Sequence, residues 1–288
     1  MHWINVTASS ASVGLDALET WFWDHGAVSV TVEDGLDKPI FEPPPGEHPL
    51  WDEVMVTGLF DSDTSIENLT MELARDNYRL EAVARLDDRV WEREWLSRFK
   101  PMQFGRRLWV CPTGFSLEPA DKVIIELDPG LAFGTGTHET TRLCLEYLDA
   151  IEVDGLDVID FGCGSGILAI ASALLGARTV TGVDNDRQAL VATTENAKRN
   201  SVTIDTHLPG VALAPSEIVL ANILAQPLVE LAPMLIEAMK PGGLLILSGI
   251  MSSQADWVIQ GYVDQVESVE LVDRTELNGW VRLVWKRT

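Results

Sequence analysis

Residues 2–8 alternate apolar and polar positions, as a half-buried strand does. Leu15, Leu18, Trp21 and Phe22 then keep a helical period, with Ser10 or Ser12 available to cap the helix. Residues 27–32 alternate again and place Val28, Val30 and Val32 on one face of a second strand. Phe-Glu-Pro-Pro-Pro-Gly-Glu-His-Pro at 41–49 is loop chemistry. Residues 54–60 predict a third strand. Residues 64–78 predict a helix with Ile66, Leu69, Leu73 and Ala74 inward, and residues 80–86 a fourth strand. The order βαββαβ is that of a small ferredoxin-like α+β domain over residues 1–88. It carries no catalytic constellation, so it reads as a recognition or docking module.

Residues 88–100 predict a linker helix with Trp91 and Trp95 on one face, and residues 104–127 two or three short strands with Trp109 and Phe115 in the core. Residues 89–127 thus join the first domain to a second, 128–288, whose pattern differs. Continuous apolar runs at 156–161, 180–183 and 217–221 alternate with helical stretches, as in an α/β sheet buried on both faces.

The first of these runs carries the chemistry. Leu-Asp-Val-Ile-Asp-Phe-Gly-Cys-Gly-Ser-Gly at 156–166 is a strand that passes Asp160 and enters a loop with Gly162, Gly164 and Gly166, followed by an apolar helix. Glycines there let backbone approach a ligand that a side chain would block. Gly164, Gly166 and Ala169 meet the dinucleotide spacing Gly-x-Gly-x-x-Ala. The full Asp-x-Gly-x-Gly-x-Gly is similar to the first motif of S-adenosylmethionine-dependent methyltransferases. Asp160 tilts the choice to the second reading, because a carboxylate there suits a ligand with positive charge and repels a pyrophosphate. Val-Thr-Gly-Val-Asp at 180–184 ends in a carboxylate placed for ribose hydroxyls, which both cofactors use, and Asp186 can cap the next helix. Upstream, the segment 128–141 holds three glycines, four threonines, Phe133 and His138. Such a loop can fold over a ligand, with Phe133 stacked on an adenine or covering a sulfonium and His138 as a base or an orienting group. The run at 217–222 ends in Asn222, so Gly162, Asp184 and Asn222 converge on the carboxyl edge of a doubly wound sheet.

Charge and composition narrow the setting. The formal net charge is −23, and residues 1–80 hold fifteen acidic residues against Lys38, Arg75 and Arg79. Such a surface repels nucleic acid and attracts basic partners. No apolar run reaches the length of a membrane span, and the first residues lack the pattern of a signal peptide. Cys111, Cys144 and Cys163 form no zinc or disulfide pattern, which fits a reducing cytoplasm, and no metal site is expected.

The loop Gly-Leu-Ala-Phe-Gly-Thr-Gly-Thr-His at 130–138, the strand and loop Val-Ile-Asp-Phe-Gly-Cys-Gly-Ser-Gly-Ile-Leu-Ala-Ile-Ala at 158–171, Ala-Asn-Ile-Leu-Ala at 221–225 and Leu-Ser-Gly-Ile at 247–250 together resemble the bacterial ribosomal protein L-eleven methyltransferase family. The resemblance covers about 128–251 closely and the rest loosely. It implies a Rossmann-like, doubly wound methyltransferase sheet behind the ferredoxin-like domain. It implies S-adenosylmethionine as cofactor, held by Thr141, Gly162, Asp184 and Asn222, with Asp160, Gly164 and Phe133 as further cofactor residues from the motif reading. Asn222 and His138 are the candidates for a catalytic role. It also implies a basic ribosomal protein as substrate, methylated on lysine and N-terminal amines, before or outside the assembled ribosome, without direct nucleic-acid contact. In amide-directed methyltransferases Asn222 would open Asn-Pro-Pro-Tyr. Ile223, Leu224 and Ala225 stand here instead, which argues against a planar amide acceptor. Alternatives are a methyltransferase for another basic protein or small amine, or a non-catalytic scaffold of the same fold.

Overall fold

A computed structural model of the chain describes residues 2–35, 53–87, 100–114, 122–128, 138–265 and 268–288. The 41–49 loop, the 88–99 stretch with Trp91 and Trp95, Phe115 and Phe133 lie outside the described residues. The chain divides into two compact units, Met1–Glu94 and Trp95–Thr288.

The first unit contains strands β1 (His2–Ala11), β2 (Ser29–Asp34), β3 (Glu53–Asp61) and β4 (Arg79–Asp87), with helices Leu15–Asp24 and Ile66–Arg75 between them. The sheet order is β2-β3-β1-β4, with every pair antiparallel. This is the ferredoxin-like arrangement that the alternation predicts. On the helix side, Val6, Val56, Phe60, Leu18, Phe22 and Leu73 are fully buried. Gly58 lies on β3 where a Cβ would overlap the ring of Phe22. Ser65 caps the second helix by accepting from Asn68 N–H. At the end of the first helix, Trp21 Nε1 donates to Asp76 at 2.8 Å and its ring stacks on His25 at 3.9 Å.

Three details differ from the sequence expectation. Ala74 is exposed, because the apolar stripe of its helix ends with Leu73. Val28 is 55% exposed, because it precedes the paired strand, in which Val30 and Val32 face Gly58 and Val56. Ser10 does not cap the first helix, whose N-cap position is Gly14, behind a 3-10 turn at Ser12–Gly14.

The second unit opens with a three-stranded sheet, β5 (Met102–Phe104), β6 (Leu108–Cys111) and β7 (Val123–Glu126), in which β6 and β7 are parallel. Helix Glu139–Ala150 follows. Then come β8 (Asp157–Phe161), helix Ile167–Leu174, β9 (Thr179–Val183), helix Arg187–Arg199, β10 (Asp205–His207) and β11 (Ser216–Asn222). Helices Ala225–Glu230 and Ala232–Glu237, β12 (Met239–Met251), helix Ala255–Gln265, β13 (Val269–Leu277) and β14 (Trp280–Arg287) complete the unit. The large sheet has the order β10-β9-β8-β11-β12-β14-β13. Its first five strands run parallel, and β14 is antiparallel to both neighbours.

Strand residues alternate between two cores. Val158, Leu220 and Ile246 meet Leu145, Leu148, Leu168 and Ile170 on one face. Ile159, Val219, Leu247 and Trp285 meet Leu228, Leu235 and Tyr262 on the other. The stretch from 208 to 215, between β10 and β11, forms no helix. The sheet floor there, Phe161 and Val183, lines a cavity of about 290 Å³ with Leu208, Pro209, Leu213 and Met234.

The core of the first unit yields a stability prediction. Phe22 is fully buried against Phe60. Phe22→Ala should cost that unit roughly 3–5 kcal/mol. Denaturant unfolding followed by amide exchange should show the loss confined to residues 2–87, with the second unit's protection unchanged.

Candidate functional site

In an open parallel sheet a crevice forms where successive helices leave to opposite faces. Here that place lies between β8 and β11, which are hydrogen-bonded neighbours. The helix after β8 packs on one core and the helix after β11 on the other. Gly162 follows β8 and Asn222 ends β11, so the topology brings both to this edge.

The loop after β8 is made of unusual backbone. Gly162, Gly164 and Gly166 have φ of +71°, +55° and +81°, a region that side chains disfavour. A Cβ at Gly162 would also overlap Ile223, in the loop after β11. Several bonds hold the loop in place. Gly162 N–H donates to Val183 C=O at 2.7 Å. Thr193 Oγ1 donates to Gly164 C=O at 3.0 Å, and Asn196 Nδ2 to Ser165 C=O at 2.8 Å. Neither Thr193 nor Asn196 stands out in the sequence. The available signal is a polar Thr193 on the buried stripe Ala189, Thr193, Ala197.

Asp184 sits just past β9 with its carboxylate turned to the glycine loop. Oδ2 accepts from Gly164 N–H and Oδ1 from Asp186 N–H, both at 2.9 Å. Asp186 caps the next helix through Gln188 N–H at 2.8 Å, as its position predicts. Asp184 therefore both shapes the loop and leaves lone pairs on a half-buried carboxylate for hydroxyl donors.

Asp160 is placed differently from the sequence expectation of a carboxylate facing a cationic ligand. It is 1% exposed, and Oδ2 accepts from Ala169 N–H at 3.1 Å, in the first turn of the helix that follows the loop. Burial pushes its pKa up to about 7, opposed by that N–H bond and helped by the nearby charge of Asp184. The reason for the difference is strand alternation. Asp160 shares its face with Val158, beneath the helix, rather than the loop. Cys163 is also buried, and its thiol is pushed up to about 12, so it acts as a small packing residue.

Across the crevice, Asn222 Nδ2 donates to Thr141 Oγ1 at 3.5 Å, which joins β11 to the helix Glu139–Ala150. Thr141 is 2% exposed. Behind Asn222, Gly249 has φ +86°, and a Cβ there would overlap the Ile223 carbonyl. The Leu-Ser-Gly-Ile segment thus gives the backbone after Asn222 its room. His138 occupies the N-cap of its helix. Its Nδ1 accepts from Thr140 N–H at 3.3 Å and lies 2.9 Å from Thr140 Oγ1, while its ring meets Trp280 edge-on at 4.7 Å. Nδ1 is engaged in capping, so the geometry gives His138 a helix-starting role.

Two outcomes follow from this geometry. Asp184→Ala should loosen the loop and weaken a ribose-bearing cofactor by roughly 1.5–3 kcal/mol for each charge-assisted bond lost. Titration calorimetry reads this directly, and unchanged affinity would remove Asp184 from the site. Asp160 has a raised folded pKa, so its folded form keeps a proton that the unfolded chain releases. Its contribution therefore lowers stability as pH rises from about 4 to 7, by at most ~1.4 kcal/mol per unit, and is constant above. Asp160→Asn lacks this dependence, so its melting temperature relative to the parent should climb between pH 5 and 7 and level off above. A constant difference would show that Asp160 titrates near its ordinary value.

Comparison with known proteins gives the chain's family. The family described as ribosomal protein L11 methyltransferase (PrmA) matches residues 2–288. A ribosomal protein L11 methyltransferase from Methylococcus capsulatus is 50% identical over 271 residues, 92% of each chain. One from Photorhabdus laumondii is 45% identical over 291 residues, 98% of this chain and 97% of its own. The crystal structure of a ribosomal protein L11 methylase from Lactobacillus delbrueckii subsp. bulgaricus is 33% identical, with a TM-score of 0.59, and covers 66% of this chain and all of its own. The match spans both units, so this chain belongs to the ribosomal protein L11 methyltransferase family.

Proposed function

We propose that the protein transfers methyl groups from S-adenosylmethionine to lysine and N-terminal amines of ribosomal protein L11. Family membership over the whole chain is the observation that carries this reading. The sheet supports it independently. A dinucleotide fold has the order 3-2-1-4-5-6 with parallel strands, whereas here antiparallel β14 is inserted between β12 and β13.

The residues at the crevice fit the cofactor. Acceptor-only Asp184 suits a ribose diol, and the left-handed glycines present backbone where side chains would otherwise stand. Asn222 and Thr141 offer polar groups on the far side. When bound, the cofactor supplies an electrophilic methyl on a positive sulfonium. The chain's task is alignment. Gly162 and Gly164 admit the ligand close to backbone, Asp184 orients the ribose, and the Thr141–Asn222 pair fixes the wall of the crevice. Phe133, Gly164 and Asp160 complete the assignment, with Asp160 acting on the ligand through the loop and the helix it pins.

The acceptor amine must be neutral. A lysine has a reference pKa near 10.4, and desolvation beside positive charge lowers it, so no dedicated base is required. Asn222 is the candidate to orient the amine, and His138 acts only through the helix it caps.

The first unit, about residues 1–88, is assigned to substrate recognition. Its sheet and two helices hold no reactive cluster, and the chain's acidity is concentrated there. Ribosomal protein free of the assembled ribosome, in the cytoplasm, is the form this surface would take. No helix among the described residues is long and apolar enough to cross a membrane.

The deciding experiment is mass spectrometry of purified ribosomal protein L11 incubated with this protein and cofactor. Mass increments of 14 Da on lysine and N-terminal amines are expected, and an unmodified L11 beside a methylated small amine would favour the other acceptor class. Steady-state rates add a second check on the acidic docking surface. Raising ionic strength past roughly 0.3 M should slow protein methylation, because screening then falls well under 10 Å, while cofactor affinity moves little.

A further inference from the structure

The glycine loop is held on its carbonyl side by one helix, and that helix also reaches the segment entering the threonine-rich loop. Thr193, Asn196 and Asn200 occupy positions i, i+3 and i+7 of Arg187–Arg199 and its cap, one side of the helix.

Thr193 is fully buried. A helical threonine ordinarily bonds the carbonyl four residues back, as its neighbour Thr194 does with Leu190 at 2.8 Å. Thr193 instead directs its hydroxyl to Gly164 C=O at 3.0 Å and Cys163 Sγ at 3.3 Å. Asn196 takes the next carbonyl, that of Ser165. Two successive carbonyls of the loop are thus tied to the helix. A trans peptide points its N–H opposite its C=O, so both peptide planes are fixed by side chains outside the loop.

On its other end the helix holds β7. Asn200 Oδ1 accepts from Glu126 N–H at 2.7 Å and Nδ2 donates to Glu126 C=O at 2.8 Å, a two-point grip on backbone. Arg199 donates to Asn196 Oδ1 at 3.0 Å and lies 3.8 Å from the Asp128 carboxylate, which in turn accepts from Thr113 N–H and Oγ1. A polar chain therefore runs from Ser165 through Asn196 and Arg199 to Asp128.

We infer that the helix Arg187–Arg199 is a brace that sets the glycine loop and the 126–128 segment in one register, with Thr193, Asn196 and Asn200 as positioning residues that govern cofactor affinity without touching the cofactor. This rests on the methyltransferase reading above. It accounts for polar side chains at the buried or half-buried positions of this helix face.

The test is calorimetric titration of the full chain with S-adenosylmethionine, beside melting of the cofactor-free protein. Thr193→Val keeps the volume and removes the hydroxyl. It should weaken binding about tenfold, equivalent to ~1.4 kcal/mol, with the melting temperature close to the parent's. Thr193→Ser, which keeps the hydroxyl, should restore affinity to within about threefold. Asn196→Ala, at a half-buried position, provides the same reading should Thr193→Val fold poorly. In turnover, KM for the cofactor should rise while kcat at saturation holds. Parent-like affinity in both Thr193→Val and Asn196→Ala would overturn the brace. So would an affinity loss that appears equally in Thr193→Ser and tracks lost melting temperature. A parent protein that binds no S-adenosylmethionine would instead sink the functional reading itself.

Discussion

The chain must turn from β8 into a buried helix within five residues, and three of them take left-handed backbone. That turn is the constraint on which the rest of the second unit depends. It presses Gly162 against Ile223, so the loop after β11 must pass close by. That passage in turn forces Gly249 on β12 to lie against the Ile223 carbonyl. Three adjacent strands thus meet around Ile223, whose side chain lies against Gly162 and whose carbonyl lies against Gly249. The carboxylate of Asp184 closes the fourth side by accepting an N–H from the same turn. Asn222 ends β11 beside this stacking, where Thr141 accepts from its Nδ2.

Much of this was legible in the residues. Alternation at 2–8, 54–60 and 80–86 marked the strands of the first sheet, because one face of each is apolar and the other is not. Continuous apolar runs marked β8, β9 and β11, because helices cover both faces. Glycine spacing located the crevice, since backbone at positive φ has few other occupants. The capping role of Asp186 followed from its place just past a strand and before a helical stretch.

What escaped the sequence depends on which way a side chain points. Asp160 precedes the glycines by two residues, which suggested ligand contact, yet strand alternation turns it beneath the helix. His138 in a threonine-rich loop suggested proton transfer, and its place at the helix start, with Nδ1 as the cap, was not legible from that loop's composition. Thr193 and Asn196 gave no signal because their partners are backbone carbonyls some thirty residues earlier, which no local spacing encodes. Gly249 was visible only as part of a family motif, and its steric reason needs the Ile223 carbonyl in space.

The placement of β14 carries a consequence for how the second unit assembles. Among the described residues β13 bonds to the sheet only through β14, although it precedes β14 in the sequence. A ribosome delivering the chain in order therefore presents β13 before its sole partner exists. β12, likewise, has an open edge until β14 arrives. Insertion of β14 also seats Trp285, which is 1% exposed and stacks on Tyr262 at 5.3 Å, so one late event pairs two strand edges and closes a core. Contacts of this kind couple completion of the sheet to the synthesis of β14, and until then an exposed edge is the place where a nascent chain is open to capture by a chaperone or by another copy of itself.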